Sequence, residues 1–97
     1  MVEKRLVDRI PLNALLVVRV EGEQHPLPCR LINISGTGIL LEVEDAVDAG
    51  KILHIEVVDP QAVPGVEPLR AQARVLRLLG NGPPWNLAAQ FEKLSLS

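Results

Sequence analysis

Aromatic residues are nearly absent from this chain, which has one Trp, one Phe and no Tyr. A packed core must therefore be built from aliphatic side chains, and the hydrophobic share of 47% is enough to predict a folded globule. The lack of aromatic side chains also removes the stacking platforms on which small barrels bind single-stranded nucleic acid. An oligonucleotide-binding barrel is therefore disfavoured.

The chain also lacks a basic surplus, long apolar runs and paired cysteines. A formal net charge of -2 argues against binding to DNA, RNA or an anionic membrane, so any anion site must come from a few local arginines. No stretch approaches the ~20 apolar residues of a membrane span, and the charged N-terminus does not resemble a signal peptide. Cys29 alone can form neither an internal disulfide nor a thiolate zinc cluster. These features predict one cytoplasmic domain of 97 residues.

Six short stretches have the alternation and β-branched content of strands, and turn residues separate them. Residues 59–68 contain three prolines and a glycine and predict a long loop. Residues 45–51 predict a loop or one helical turn, and residues 92–97 a short polar tail. The predicted strands are Ala14–Val20, a second strand running through Arg30–Ile34, Ile39–Val43, Ile52–Val58, Arg70–Leu79 and Trp85–Phe91. This spacing predicts an all-β fold, a small barrel or sandwich.

Residues able to carry enzymatic chemistry are sparse. His25 and His54 have no His, Cys or carboxylate nearby at ligand spacing, so we expect no metal. Ser35 and Cys29 lack the sequence signature of an activated nucleophile. No phosphate-binding glycine loop precedes a helix. We therefore predict a protein that is not an enzyme and has no cofactor.

Two motifs remain, and together they resemble a known family. Arg5-Leu6-Val7-Asp8-Arg9 reads RxxxR, and Asn33-Ile34-Ser35-Gly36-Thr37-Gly38 reads NxSxxG on a predicted hairpin. In order and spacing they are similar to the RxxxR and [D/N]xSxxG segments of PilZ domains, and the resemblance extends from about Glu3 to Leu94. It implies a six-stranded antiparallel PilZ-type β-barrel spanning residues 11–94, preceded by a flexible ligand-binding arm at residues 1–10.

The resemblance also implies a function, that of a bacterial receptor for the second messenger cyclic di-GMP. Arginine suits this ligand because a guanidinium binds phosphate oxygens or guanine O6 and N7 in a bidentate manner. Since the chain stops at Ser97 without the C-terminal helix of many relatives, we expect a stand-alone adaptor that passes the signal to another protein. The residues implied to bind the ligand are Arg5, Arg9, Asn33, Ser35 and Gly38, with Lys4, Asp8, Gly36 and Arg77 as further candidates.

Other interpretations of the same residues stay open at this point. The arginine pair can be a solvated terminal arm, and Asn, Ser and Gly are common in turns for their own sake. Arg77 shares the alternation of Ala71, Ala73 and Val75, where an apolar residue is expected, and can instead turn to solvent at the strand end. Trp85 is expected to anchor a strand. The alternative function is a PilZ-like interaction module that does not bind nucleotide.

Overall fold

The computed structural model describes residues 15–58 and 69–95, which form one sheet of six antiparallel strands. The strands are β1 Leu15–Val20, β2 Cys29–Ile34, β3 Gly38–Val43, β4 Ile52–Val58, β5 Leu69–Leu79 and β6 Trp85–Ser95. Their spatial order is β1-β4-β5-β6-β3-β2, and the sheet curls into a half-barrel. Across the described ranges we find no helix with the length and apolarity that a membrane crossing requires.

All six predicted strands are present, and the all-β fold is confirmed. The prediction of a polar tail from residue 92 was wrong, because β6 continues to Ser95 and keeps its pairing with β5. Residues 45–51, predicted as a loop or one helical turn, form a loop that turns at Gly50 with a positive φ of 91°. The predicted arm at residues 1–10 and the predicted loop at 59–68 lie outside the described residues.

The core is aliphatic, as the composition predicts. Alternate residues of β3 and β4 point inward, and Leu41, Leu53 and Leu87 are fully buried. Three buried alanines, Ala71, Ala73 and Ala89, lie on the neighbouring strands β5 and β6. Trp85 and Phe91 are only half-buried and pack against the edge of this core. Because successive side chains of a strand point to opposite faces, the residues between these inward aliphatic ones lie on the outer face of the sheet.

The sheet does not close along its full length. The Leu27 amide donates to the Val18 carbonyl at 2.7 Å, and Arg19 and Pro26 form an isolated bridge, so the two edges of the sheet meet near the start of β2. Because neighbouring strands are antiparallel, β1 begins at the end of the half-barrel where β2 ends and β3 begins. We call this the turn end, since it holds residues 35–38. The loop end, opposite it, holds the connections at residues 21–28 and 44–51.

Three bulges interrupt the ladder of the described strands. The register shifts by one residue between Leu31 and Asn33 on β2, between Val75 and Arg77 on β5, and at Glu92 on β6, opposite Gln72 and Ala73. The first two shape the outer face. A bulge changes the alternation beyond it. By alternation Arg77 is in phase with inward-facing Val75, but the extra residue in β5 returns Arg77 to the exposed outer face, which agrees with the alternative that it turns to solvent.

Candidate functional site

The NxSxxG segment forms the tight connection between β2 and β3. The Ser35 amide donates to the Gly38 carbonyl at 2.9 Å, which closes the turn. The Ser35 Oγ accepts hydrogen bonds from the amides of Gly38 at 3.1 Å and Thr37 at 3.3 Å. The serine hydroxyl therefore shapes the turn, and Ser35 remains exposed to solvent while doing so. Gly36 lies at the exposed corner of the same turn.

Gly38 is required by packing between strands. A Cβ atom built on this residue would lie 2.7 Å from the Ala89 carbonyl oxygen on β6, closer than non-bonded atoms approach. The amide of Phe91 donates to the Thr37 carbonyl at 2.8 Å, which fixes the turn against β6 from the other side. The last glycine of the motif thus lets the turn lie close against the middle of the sheet.

A row of side chains crosses the outer face beside this turn. Asn33 pairs with Leu40, Leu40 with Ala88, and Ala88 with Arg77, so the four residues lie side by side on β2, β3, β6 and β5. We call this the outer row. Three strand spacings separate its ends, a distance of about 14 Å. Asn33 and Arg77 are exposed, and Leu40 and Ala88 between them are half-buried.

Each polar end of the outer row has an exposed apolar neighbour in a bulge. Ile32, next to Asn33, is 40% exposed, and Leu76, next to Arg77, is 52% exposed. An aliphatic floor with hydrogen-bonding groups at both ends can accept flat rings whose edges carry polar atoms. Alternation alone predicts that Leu40 faces outward, but no residue type in the sequence marks the two bulges.

Arg77 differs from its neighbours in its charge environment. Arg30, Arg70 and Arg74 each form an ion pair on the outer face, with Glu42, Glu56 and Glu92 at 3.2, 3.1 and 2.7 Å respectively. The hydrogen bond that Arg30 donates to the Glu42 carboxylate also raises the pKa of Arg30. Among the residues that the structure describes, no carboxylate pairs with Arg77. In the same ranges no group forms a hydrogen bond with the side-chain amide of Asn33. Both ends of the outer row thus keep polar groups available for a ligand.

The predicted arginines of the arm lie outside the described residues, together with Lys4 and Asp8. Their point of attachment is described, because β1 begins at Leu15 at the turn end. Arg9 precedes Leu15 by six residues, which reach at most about 20 Å when extended. The turn at residues 35–38 lies at this same end of the half-barrel.

The described residues contain neither a metal cluster nor a proton relay at this face. Over residues 15–58 and 69–95, no group of three or more His, Cys, Asp or Glu side chains is arranged to hold a metal ion. Within those ranges the Ser35 hydroxyl lies within hydrogen-bond distance only of groups in its own turn. This face carries hydrogen-bonding groups, a guanidinium and apolar side chains.

A comparison with known families gives one match. The model of the PilZ domain family matches residues 3–97, which includes residues 3–10 of the predicted arm, the turn and all six strands. No curated protein matches the chain, and no solved structure does.

Proposed function

Because the chain belongs to the PilZ domain family, a family of cyclic di-GMP receptors, we propose that it binds cyclic di-GMP on the outer row and relays the signal to a protein partner. The observation that carries this proposal is the juxtaposition of Asn33 and Arg77 across a half-buried aliphatic floor, beside the Ser35–Gly38 turn. Neither motif predicts this juxtaposition alone, since it needs the β5 bulge.

The outer row suits the shape and the chemistry of the nucleotide. Cyclic di-GMP has two guanines and two phosphates on one compact ring. Arg77 can bind guanine O6 and N7 in a bidentate manner, while the Asn33 amide both donates and accepts. Leu40 and Ala88 provide the apolar surface beneath a base, and the exposed corner at Gly36 leaves backbone open to the ligand. In this proposal the row recognises the bases.

The arm supplies the charge that the phosphates require. Arg5 and Arg9 each provide a guanidinium for phosphate oxygens, and Lys4 and Asp8 lie beside them in the same segment. Ordering the arm costs conformational entropy, which contacts formed only in the complex offset. A charge-assisted hydrogen bond contributes roughly 1.5–3 kcal/mol, so about four such bonds suffice for the ~8 kcal/mol of a micromolar complex. The arm and the outer row then hold the ligand from two sides.

Calorimetric titration of the full chain tests the proposal. We expect cyclic di-GMP to bind with micromolar or tighter affinity, while GTP and cyclic GMP give no heat at the same concentrations. The fitted stoichiometry distinguishes one bound molecule from an intercalated pair. If cyclic di-GMP also gives no heat, the chain is the alternative, an interaction module without a nucleotide site.

Paired variants locate the site. Arg9→Ala and Arg77→Ala should each weaken binding by at least about tenfold, the equivalent of one lost charge-assisted bond. Arg70→Ala is the matched control, because Arg70 lies on the same strand and face but is paired with Glu56. Its affinity should remain within about twofold of the parent chain. Equal losses for Arg70→Ala and Arg77→Ala would contradict the placement on the outer row.

Ser35→Ala separates the turn from the arginines. The variant leaves the Gly38 and Thr37 amides without their acceptor, which should cost about 1 kcal/mol of unfolding free energy while the fold persists. Nucleotide affinity should fall because the turn beside the outer row loses its shape. Unchanged affinity in Ser35→Ala and Arg9→Ala together would exclude the proposed site.

A further inference from the structure

A groove at the loop end lies apart from the proposed nucleotide site. It is bounded by the connections at residues 21–28 and 44–51 and has a volume of about 390 Å³. Its floor is apolar: Leu27 and Val47 are buried, Val20 is half-buried, and Ala46 lies exposed at the rim. This floor belongs to the same core that supports the strands.

Backbone hydrogen bonds give the groove a fixed shape. The Leu27 amide donates to the Val18 carbonyl at 2.7 Å, and the Glu23 amide donates to the Val20 carbonyl at 2.9 Å. On the other wall the Gly50 amide donates to the Val75 carbonyl at 2.8 Å. Both walls are therefore attached to strands of the sheet, so a partner docking here loses little entropy in ordering the groove.

The walls are acidic, although the chain as a whole is close to neutral. The two connections contain five carboxylates and one lysine, a formal charge of -4 against -2 for the whole chain. Of these, Lys51 and three carboxylates line the groove, a formal charge of -2 among the lining residues; the carboxylates are Glu23, Asp45 and Asp48. Within the described ranges none of these three forms an ion pair, whereas Glu21, which does not line it, lies 3.1 Å from His54. The carboxylates at the groove are thus available to a cation from outside.

We propose that this groove docks a basic segment of a partner protein in which Lys or Arg residues flank aliphatic ones. The apolar floor favours burial of aliphatic side chains, and the acidic walls favour cations and repel nucleic acid and anionic lipid. The occupant is therefore a cationic peptide. The groove lies at the opposite end of the half-barrel from the Ser35–Gly38 turn, so this proposal stands independently of nucleotide binding.

Titration with synthetic peptides, followed by amide chemical shifts of the full chain without nucleotide, tests the proposal. The probe is acetyl-KRLLRK-amide, and the control is acetyl-QQLLQQ-amide, which keeps the leucines and removes the charges. We expect saturable shifts at residues 21–28 and 44–51 with the basic peptide, and affinity at least about fivefold lower with the neutral one. Equal affinities, or shifts centred elsewhere on the molecule, would overturn the proposal.

Variants distinguish the groove from a diffuse acidic surface. The double variant Asp45→Asn with Asp48→Asn should weaken the basic peptide at least about fivefold, whereas Glu44→Gln, at the same end but outside the lining, should change affinity less than about twofold. Ala46→Trp places a bulky side chain at the rim and should also abolish binding. Docking in the groove would be refuted if Glu44→Gln lowered the affinity for the basic peptide as much as the double variant does. It would also be refuted if Ala46→Trp bound the peptide as tightly as the parent chain.

Sedimentation equilibrium tests whether a second copy of the chain is the occupant instead. We expect a monomer at the concentrations used for titration. Self-association that the double variant abolishes would show that the groove binds its own chain, and the partner proposal would then be wrong.

Discussion

At the scale of single residues, Gly38 shows how a motif position is set by packing. The Cβ of an alanine there would meet the Ala89 carbonyl oxygen at 2.7 Å, and rotation of a side chain cannot relieve a contact with backbone. We expect Gly38→Ala to lower the free energy of unfolding by about 1–3 kcal/mol, measured by urea denaturation. Nucleotide affinity should fall too, because the strands that support the outer row must move apart.

Thr37→Ala is the matched control for that substitution. Thr37 is exposed in the same turn, and its hydroxyl lies 3.4 Å from the Ser35 Oγ. Removing it should change stability by no more than about 0.5 kcal/mol. A Gly38→Ala variant as stable as Thr37→Ala would show that β3 and β6 tolerate the added atom, and that the glycine serves another purpose.

Cys29 leads to a second prediction at this scale. Burial raises the pKa of its thiol, so the folded protein holds less thiolate than an unfolded chain at the same pH. Reaction with a disulfide reagent at pH 8 should be slower in buffer than in urea. Because the folded pKa is the higher one, the stabilising contribution is complete below the unfolded value of about 8.5 and is lost as the pH rises through the folded value. Cys29→Ala should remove this part of the pH dependence, and an unchanged profile would contradict it.

At the scale of elements, the regular parts of the strands could be predicted and the irregular parts could not. The bounds of β4 match the prediction because its alternation is unbroken, and β2 and β3 follow from the turn residues between them. The continuation of β6 to Ser95 depends on pairing with β5 and is not visible in a polar sequence. A bulge depends on how two strands meet, so alternation alone could not decide on which face Arg77 lies.

The same limit applies to the candidate site. Its Asn, Ser and Gly positions could be recognised from spacing, but the roles of Ser35 and Gly38 within the turn needed the hydrogen bonds and the contact with Ala89. Leu40 and Ala88 join the site only because four strands that are distant in sequence lie side by side. Sequence order does not reveal that neighbourhood.

Deletion of Leu76 tests the bulge. Val75 already pairs with Ala89 and Arg77 with Ala88, so removing the residue between them leaves a regular ladder with both side chains on their present faces. The variant should fold, with amide spectra close to those of the parent. Its nucleotide affinity should fall, because the local twist around Arg77 relaxes and the exposed leucine is lost.

Deletion of His54 is the comparison. It lies in β4, which pairs with β1 and β5 without a register shift. A one-residue deletion there turns either the residues before it or those after it to the opposite face, so buried residues such as Ile55 become misplaced. Circular dichroism should show a largely unfolded chain. If both deletion variants fold equally well, the bulge has no special tolerance.

At the scale of the whole molecule, a small aliphatic core makes stability sensitive to bound ligand. In a domain of 97 residues, each kcal/mol added to the free energy of unfolding raises Tm by about 4–8 °C. Nucleotide at 100 times its Kd adds about 2.7 kcal/mol, so we expect cyclic di-GMP to raise Tm by roughly 10–20 °C in a thermal melt. GTP at the same concentration should leave Tm unchanged, and an equal shift with GTP would contradict selective recognition.

The outer row and the groove should respond separately to this measurement. Arg77 lies on the outer row and does not line the groove, whereas Asp45 and Asp48 line the groove and do not belong to the row. Sites that share no partners usually contribute additively. The shift in Tm caused by cyclic di-GMP should therefore shrink in Arg77→Ala and persist within about 2 °C in the Asp45→Asn, Asp48→Asn double variant. Loss of the shift in the double variant would place the nucleotide at the loop end, because only a ligand bound there would depend on those carboxylates.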